Sequence, residues 1–177
     1  MTTIVAVQKE NGVEFGADSL VTAGRKYNHP RMVKISKRGQ FIIAGSGLSS
    51  YCDVAQHIWT PPKPTVEDRK DLYHFIIAKV IPSLKQAFKD NDLKLDSEKD
   101  DEPRFAFLIA VGGEVFDVAD DFAVSLSSSG FYGVGSGSSL AIGALEAGES
   151  IEDALGIASK HDPYTAAPYL YIEQKKV

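Results

Sequence analysis

Short apolar runs separated by turn residues occupy the first fifty positions. Residues 3–7 and 13–17 are two such runs, and Asn11-Gly12 between them is a tight-turn dipeptide, so the chain is expected to open on a β-hairpin. Residues 20–23, 32–36 and 40–44 read as further short strands, with Lys37-Arg38-Gly39 as the turn before the last. From residue 49 the apolar spacing becomes helical. Ser49 or Ser50 can cap a helix bearing Val54, Ala55, Ile58 and Trp59, which Pro61-Pro62 ends. Thr65 and Asp68 form a capping-box pair. The positions Tyr73, Ile76, Ile77, Val80, Leu84, Ala87 and Phe88 that follow predict a long amphipathic helix kinked at Pro82.

Residues 90–103 are charged and poor in apolar side chains, and read as a solvated loop between two halves of one domain, residues 1–177. Residues 105–111 and 114–119 flank Gly112-Gly113 as a second hairpin, and residues 122–126 add a strand. Beyond the glycine-rich stretch 130–137, one helix carries Leu140, Ala141, Ala144 and Leu145. A second, capped by Ser150 with Asp153, carries Ile151, Ala154, Leu155 and Ala158, and residues 169–173 close the chain as a strand. Hairpins that need a cover, and helices with one apolar face, pack most economically as an αββα sandwich. The expected class is therefore α+β, with two mostly antiparallel sheets face to face and helices outside.

Composition narrows the functions. The chain has 177 residues, 44% of them hydrophobic, enough for one substantial core. Nineteen basic and 24 acidic residues leave a net charge of −5, which supplies no phosphate-binding field and argues against nucleic acid as a partner. No apolar run approaches the roughly 18 residues of a membrane span. The one cysteine, Cys52, allows no internal disulfide and no thiol pair for zinc; with no secretory signal visible, a cytoplasmic location is expected. The histidines 29, 57, 74 and 161 have no ligand spacing and read as ordinary surface or core residues, and Cys52 as a small buried one.

The chemistry begins at Met1-Thr2-Thr3. A small residue after the initiator methionine permits methionine removal, which would give Thr2 a free amine beside its hydroxyl. A threonine hydroxyl is a weak nucleophile alone, but an α-amine of pKa about 7.7–8.0 on the same residue can serve as its base. With Asn11-Gly12 as the turn, Thr2 falls opposite about Val21 and roughly 10 Å from Asp18, a gap that Lys34 from the next strand could fill. Its charge would keep the amine neutral and ease loss of the hydroxyl proton.

Thr2-Thr3-Ile4-Val5, Gly16-Ala17-Asp18-Ser19 and Lys34, with Asp18 sixteen and Lys34 thirty-two positions after Thr2, resemble the N-terminal-nucleophile threonine peptidases of the proteasome β-subunit superfamily. Ile43-Ala44-Gly45 resembles that family's oxyanion segment, Gly135-Ser136-Gly137-Ser138 its serine loop, and Asp162 with Thr165 its Asp-x-x-Ser, threonine replacing serine and Pro163 lying between. The length and the lack of a leader beyond Met1 resemble the bacterial HslV type, whereas the serine loop and the Asp162–Thr165 spacing lean toward the proteasome.

The resemblance implies the αββα fold and a threonine-type endopeptidase. Thr2 would be nucleophile, Lys34 and Asp18 its electrostatic partners, and the Gly45 N–H the oxyanion donor, while Ser136, Asp162 and Thr165 would orient the amine and a water. Val21, Met32 and Ile43 would line the first specificity pocket, suggesting hydrophobic residues before the cleaved bond, and backbone groups of Thr22 and Gly47 would pair with an extended polypeptide substrate. It implies a homo-oligomeric double ring, an HslU-like AAA+ unfoldase as partner, and no cofactor for the chemistry, a structural monovalent or divalent cation being left open. Met1 must be cut away for any of this to operate.

Two rivals remain at the level of sequence. One is a catalytically inactive structural subunit of the same fold; the other is an anion- or nucleotide-binding module using the helix start after Gly137. The stretch Gly133-Val134-Gly135-Ser136-Gly137-Ser138 lacks the last glycine of a dinucleotide fingerprint, the Gly-Lys pair of a phosphate loop and the glycines of a hydrolase elbow.

Overall fold

A computed structural model describes residues 2–23, 25–28, 32–95 and 103–176. The strands are β1 (Ile4–Lys9), β2 (Gly12–Ala17), β3 (Leu20–Ala23), β4 (Arg25–Asn28), β5 (Ile35–Arg38), β6 (Phe41–Gly47), β7 (Phe105–Val111), β8 (Glu114–Val118), β9 (Val124–Ser125), β10 (Phe131–Val134) and β11 (Leu170–Lys175). The α-helices are α1 (Ser49–Asp53), α2 (Leu72–Phe75), α3 (Ile81–Asp90), α4 (Ser138–Glu146) and α5 (Ile151–His161). Wide helical turns, Val54–Ile58 and Ile76–Val80, continue α1 and join α2 to α3.

One sheet has the order β10-β1-β2-β11, the other β5-β6-β7-β8-β9, every pairing antiparallel, and β3-β4 forms a separate ribbon. Side-chain alternation builds the layers. In β1, Ile4 and Ala6 face the second sheet while Val5 and Val7 face α4 and α5. In β6, Ile42 and Ala44 face the first sheet while Phe41 and Ile43 meet α2, α3 and the wide turns. Three apolar clusters thus lie between helix and sheet, sheet and sheet, and sheet and helix, which is the expected αββα sandwich. Because the central strands are covered on both faces, they read as continuous apolar runs rather than alternating ones.

The opening hairpin turns one residue earlier than expected, which shifts the cross-strand partners by two. Gly12 is already in the ladder, paired with Lys9 on one side and Lys175 on the other, at φ +148°. A Cβ there would lie 2.2 Å from the Gln174 carbonyl oxygen, so only glycine fits. Glu10 and Asn11 therefore form the turn, and Ile4 pairs with Ala17, which places Asp18 next to Thr3 instead of 10 Å from the site.

Elsewhere the local signals differ in detail. Thr65 and Asp68 do bond reciprocally, but they start a single 3-10 turn; Asp71 caps the helix, accepting the His74 N–H at 2.9 Å. Pro82 sits near the N-terminus of α3, and the wide turn Ile76–Val80 precedes it. The helix α1 follows Leu48 without a serine cap. The strands β4 and β10 were not expected: each is four residues long, β4 is mostly polar, and β10 lies within a glycine-rich stretch. The first part of the expected solvated loop is docked: Lys94 and Leu95 carbonyls accept the Arg104 guanidinium at 2.7 and 3.0 Å, and Leu93 and Leu95 pack on the helix-side core. Met1, His29 and the charged run 97–102 lie outside the described residues. Among the described residues no helix is long and apolar enough to cross a membrane.

Candidate active site

Thr2 lies just before β1 and is 4% exposed. Beside it the β1–β2 ladder runs one pair beyond its strands, with Asp18 N–H donating to the Thr3 carbonyl at 3.1 Å and Thr3 N–H donating to Asp18 Oδ1 at 2.8 Å. The carboxylate is saturated: Oδ1 also accepts Lys34 Nζ at 2.6 Å, and Oδ2 accepts the N–H groups of Leu20 at 3.0 Å and Ala166 at 3.3 Å. Lys34 Nζ gives a further proton to the Leu20 carbonyl at 2.8 Å. Burial pulls the Lys34 pKa down, and the Asp18 charge opposes it without cancelling it. The lysine is anchored through its backbone as well, its carbonyl accepting Gly45 N–H at 3.1 Å and Gln56 Nε2 at 3.0 Å.

That last contact bears on the oxyanion expectation. The Gly45 N–H is engaged in the β5–β6 ladder and is not directed into the site. Along β6, alternate amides face opposite edges: Leu48 N–H points to the Arg104 carbonyl on β7, Gly45 N–H to Lys34. Gly47 therefore presents its N–H on the same side as Gly45, but β5 starts at Ile35, short of it. Its φ is +116°, and a Cβ would sit 2.3 Å from the Arg104 oxygen.

On the other flank, Asp162 Oδ2 accepts the hydroxyls of Ser136 at 2.8 Å and Thr165 at 2.5 Å, and Thr165 Oγ1 meets Thr3 Oγ1 at 2.5 Å. Ser136 Oγ also reaches the Thr2 carbonyl at 3.5 Å. The structure thus brings Ser136, Asp162 and Thr165 together behind Thr2, with Pro163 accommodated in the loop. Thr165→Val should lower stability by about 1–3 kcal/mol in thermal denaturation, because two buried oxygens lose a partner, while Thr165→Ser should stay near the parent. The serine loop is held close by its glycines: a Cβ on Gly135, at φ +96°, would fall 2.0 Å from the Thr2 oxygen, and one on Gly137 2.1 Å from Thr3 Oγ1. Gly137→Ala is expected to cost about 1–3 kcal/mol and to lower turnover by displacing the Thr2-Thr3 backbone; melting curves and rate assays check it.

A cavity of about 160 Å³ opens against Thr2. Its sides are Val21 and Thr22 of β3, Met32 and Lys34, and the end of β6 with Gly45 and Gly47. Ile43, expected there, is not: it is fully buried in the helix-side core, on the same face of β6 as Gly45 but one pleat further along the strand. The lining also includes Ser49, Cys52, Asp53, Gln56 and His57, which sequence reasoning did not assign to the site. Their i, i+3, i+4 spacing on a helix whose other face buries Tyr51, Val54 and Ala55 was the available signal. Cys52 is half-buried and lines this cavity. Burial, followed by the Asp53 charge, pushes its thiol up to about 12. Among the described residues no cluster of three or more His, Cys, Asp or Glu side chains could hold a metal ion.

Comparison with solved structures matches this architecture. A Thiobacillus denitrificans protein, BPH, superposes with a TM-score of 0.73 and 22% identity, covering 99% of each chain, and its complex with epoxomicin gives 0.72 and 22% over 99% of this chain and 100% of that one. HslV from Trypanosoma brucei matches at 0.61 and 18% identity, over 98% of this chain and 99% of that one. The chain has the HslV-type N-terminal-nucleophile fold. No family model and no curated protein sequence matches it. Within the HslV-type fold, Thr2 occupies the start of the first strand, at the mouth of the cavity just described.

Proposed function

We propose that the chain is a threonine-type endopeptidase subunit of a self-compartmentalising ring protease, acting on unfolded polypeptides once Met1 is removed. The observation that carries this reading is the convergence on Thr2 of a buried Lys34–Asp18 pair on one side and the Ser136–Asp162–Thr165 network on the other, at the edge of an open cavity. Once Met1 is removed, threonine is one of the few side chains able to carry nucleophile and base together, and this network borders it.

In the mechanism, Thr2 Oγ attacks the substrate carbonyl while its own amine, directly or through one water, accepts the hydroxyl proton. The Lys34 ammonium, which lines the same cavity as Thr2, would lower the cost of negative charge developing on the attacking oxygen, and Asp18 fixes that ammonium in place. The oxyanion forms against the Gly47 N–H, the β6 amide that faces the cavity past the end of β5; donors of this kind are worth about 2.7–4 kcal/mol. Protonation of the departing amine by the Thr2 ammonium leaves an ester on Thr2, which water hydrolyses. An extended substrate would lie along Thr22 and Gly47 as an added strand. A closed double ring of copies, with an AAA+ unfoldase feeding it, belongs to the same reading through the likeness to HslV.

Intact mass after incubation with epoxomicin, the molecule bound to the T. denitrificans neighbour, tests the assignment. The expected product has lost Met1 and gained one inhibitor on Thr2. An unmodified chain with Met1 retained would sink it.

A further inference from the structure

The ribbon β3–β4 belongs to neither sheet, yet its first strand flanks the site, and the proposed substrate strand would lie along Thr22. The loop that follows α5 grips this ribbon at two places. At the base, Ser19 donates its N–H to the Ala166 carbonyl at 3.1 Å and its hydroxyl to the Pro168 carbonyl at 2.5 Å, while the Ala166 N–H returns to Asp18 Oδ2 at 3.3 Å. Further out, the Lys26 ammonium of β4 donates to the Pro163 carbonyl at 2.6 Å, with Nζ 6.0 Å from the centre of the Tyr164 ring. Lys26 is the cross-strand partner of Thr22. The same loop carries groups that stand behind Thr2. Asp162, next to Pro163, accepts the Tyr164 N–H through Oδ1 at 3.3 Å and holds the Ser136 and Thr165 hydroxyls through Oδ2. A continuous path therefore runs from the strand that would meet a polypeptide, through Lys26 and the Pro163 carbonyl, to the carboxylate on the far flank of Thr2.

Lys26 is exposed, and a solvated contact of this kind adds little to stability. Its effect is on position. A two-stranded ribbon is a marginal unit on its own, so a charge-assisted hydrogen bond from β4 to the loop fixes where the ribbon lies. We infer that Lys26 is a positioning residue: it ties the β3–β4 ribbon to the 162–168 loop, so that a polypeptide lying on β3 draws the Asp162 network into place behind Thr2. Its effect on rate rests on the peptidase reading above, whereas the coupling itself can be measured without hydrolysis.

The full-length assembled protein is assayed with two capped coumarin amides that share their last two residues, a dipeptide too short to run along β3 and a pentapeptide long enough to do so. Lys26→Met should lower the pentapeptide-to-dipeptide ratio of kcat at least about fivefold, and Lys26→Arg, which keeps charge and reach, should restore it. A lysine that only supported the fold would slow both substrates alike; an unchanged ratio overturns the assignment. In parallel, amide hydrogen exchange is followed on Thr2→Ala protein with and without the pentapeptide. The peptide is expected to slow exchange at Thr22 and also at Thr165 and Ala166, and in a Thr2→Ala/Lys26→Met variant only Thr22 should remain slowed. If the parent cleaves neither substrate, the peptidase reading fails, yet this loss of protection in the loop still supports the tie. A peptide that leaves Thr165 and Ala166 unprotected while Lys26 is present, or that protects them equally without it, overturns the tie.

Discussion

Thr2→Ala should reduce peptide hydrolysis by at least roughly 10³-fold, into the background of a fluorogenic assay, because it deletes the attacking oxygen and leaves every other group in position. Stability should change by less than about 1 kcal/mol, a Tm shift of no more than about 2–4 °C for a chain of this size. The reason is structural: the contacts that fix this corner belong to the Thr3 amide, the Thr3 hydroxyl and the Thr2 carbonyl, all of which an alanine at position 2 retains. Thr2→Ser keeps an oxygen and an amine and should keep measurable turnover. The comparison also separates the rivals. An inactive structural subunit would show no hydrolysis in the parent, and an anion-binding module at the start of α4 would bind its ligand equally well in both proteins. Turnover by Thr2→Ala equal to the parent's would remove Thr2 from the chemistry altogether.

How far the sequence led to this site depends on the range of the interaction concerned. The sandwich was legible because apolar periodicity and turn residues act over a few positions, and they place β1, β2, β6, β7, α4 and α5 nearly where they occur. Thr2, Asp18 and Lys34 could be named from spacing, but their approach could not be derived: a one-residue error in the hairpin turn shifted the register by two and moved Asp18 away from Thr3. Gly12 decides that register through a third strand, β11, some 160 residues away in sequence, whose Gln174 carbonyl leaves no room for a Cβ. The misassigned Ile43 has a similar origin. Strand alternation tells that neighbouring residues face opposite ways, but not which face of β6 lies toward helices; once Phe41 and Ile43 are in the helix-side core, only the backbone beyond Ala44 can reach the cavity. Asp53 and His57 lie on the exposed face of a short helical segment, where polar residues are ordinary, and only the fold puts them in the same cavity lining as Thr2.

The Asp18–Lys34 pair gives the second large effect, and it separates stability from catalysis. Asp18→Asn leaves the Lys34 ammonium buried without a counter-charge, and it replaces an acceptor of four N–H donors with a group that can accept at only one of its two ends. Breaking a buried pair in this way costs about 3–5 kcal/mol, which corresponds to roughly 6–20 °C in Tm. Adding Lys34→Met removes the stranded charge, so the double variant should be more stable than Asp18→Asn alone, yet equally unable to hydrolyse peptides. The pH dependence follows from the same geometry. Burial holds the folded Lys34 below its ordinary 10.5, so between those two values the unfolded chain binds the extra proton and stability from this residue rises with pH. Loss of the Asp18 charge lowers the folded value further and extends that rising window toward neutral pH, whereas Lys34→Met abolishes it. Denaturant melts of the three variants across pH 6 to 10 measure both effects. A double variant no more stable than Asp18→Asn, or one that still cleaves peptides at the parental rate, would show that the ion pair is a folding device and that the lysine takes no part at Thr2.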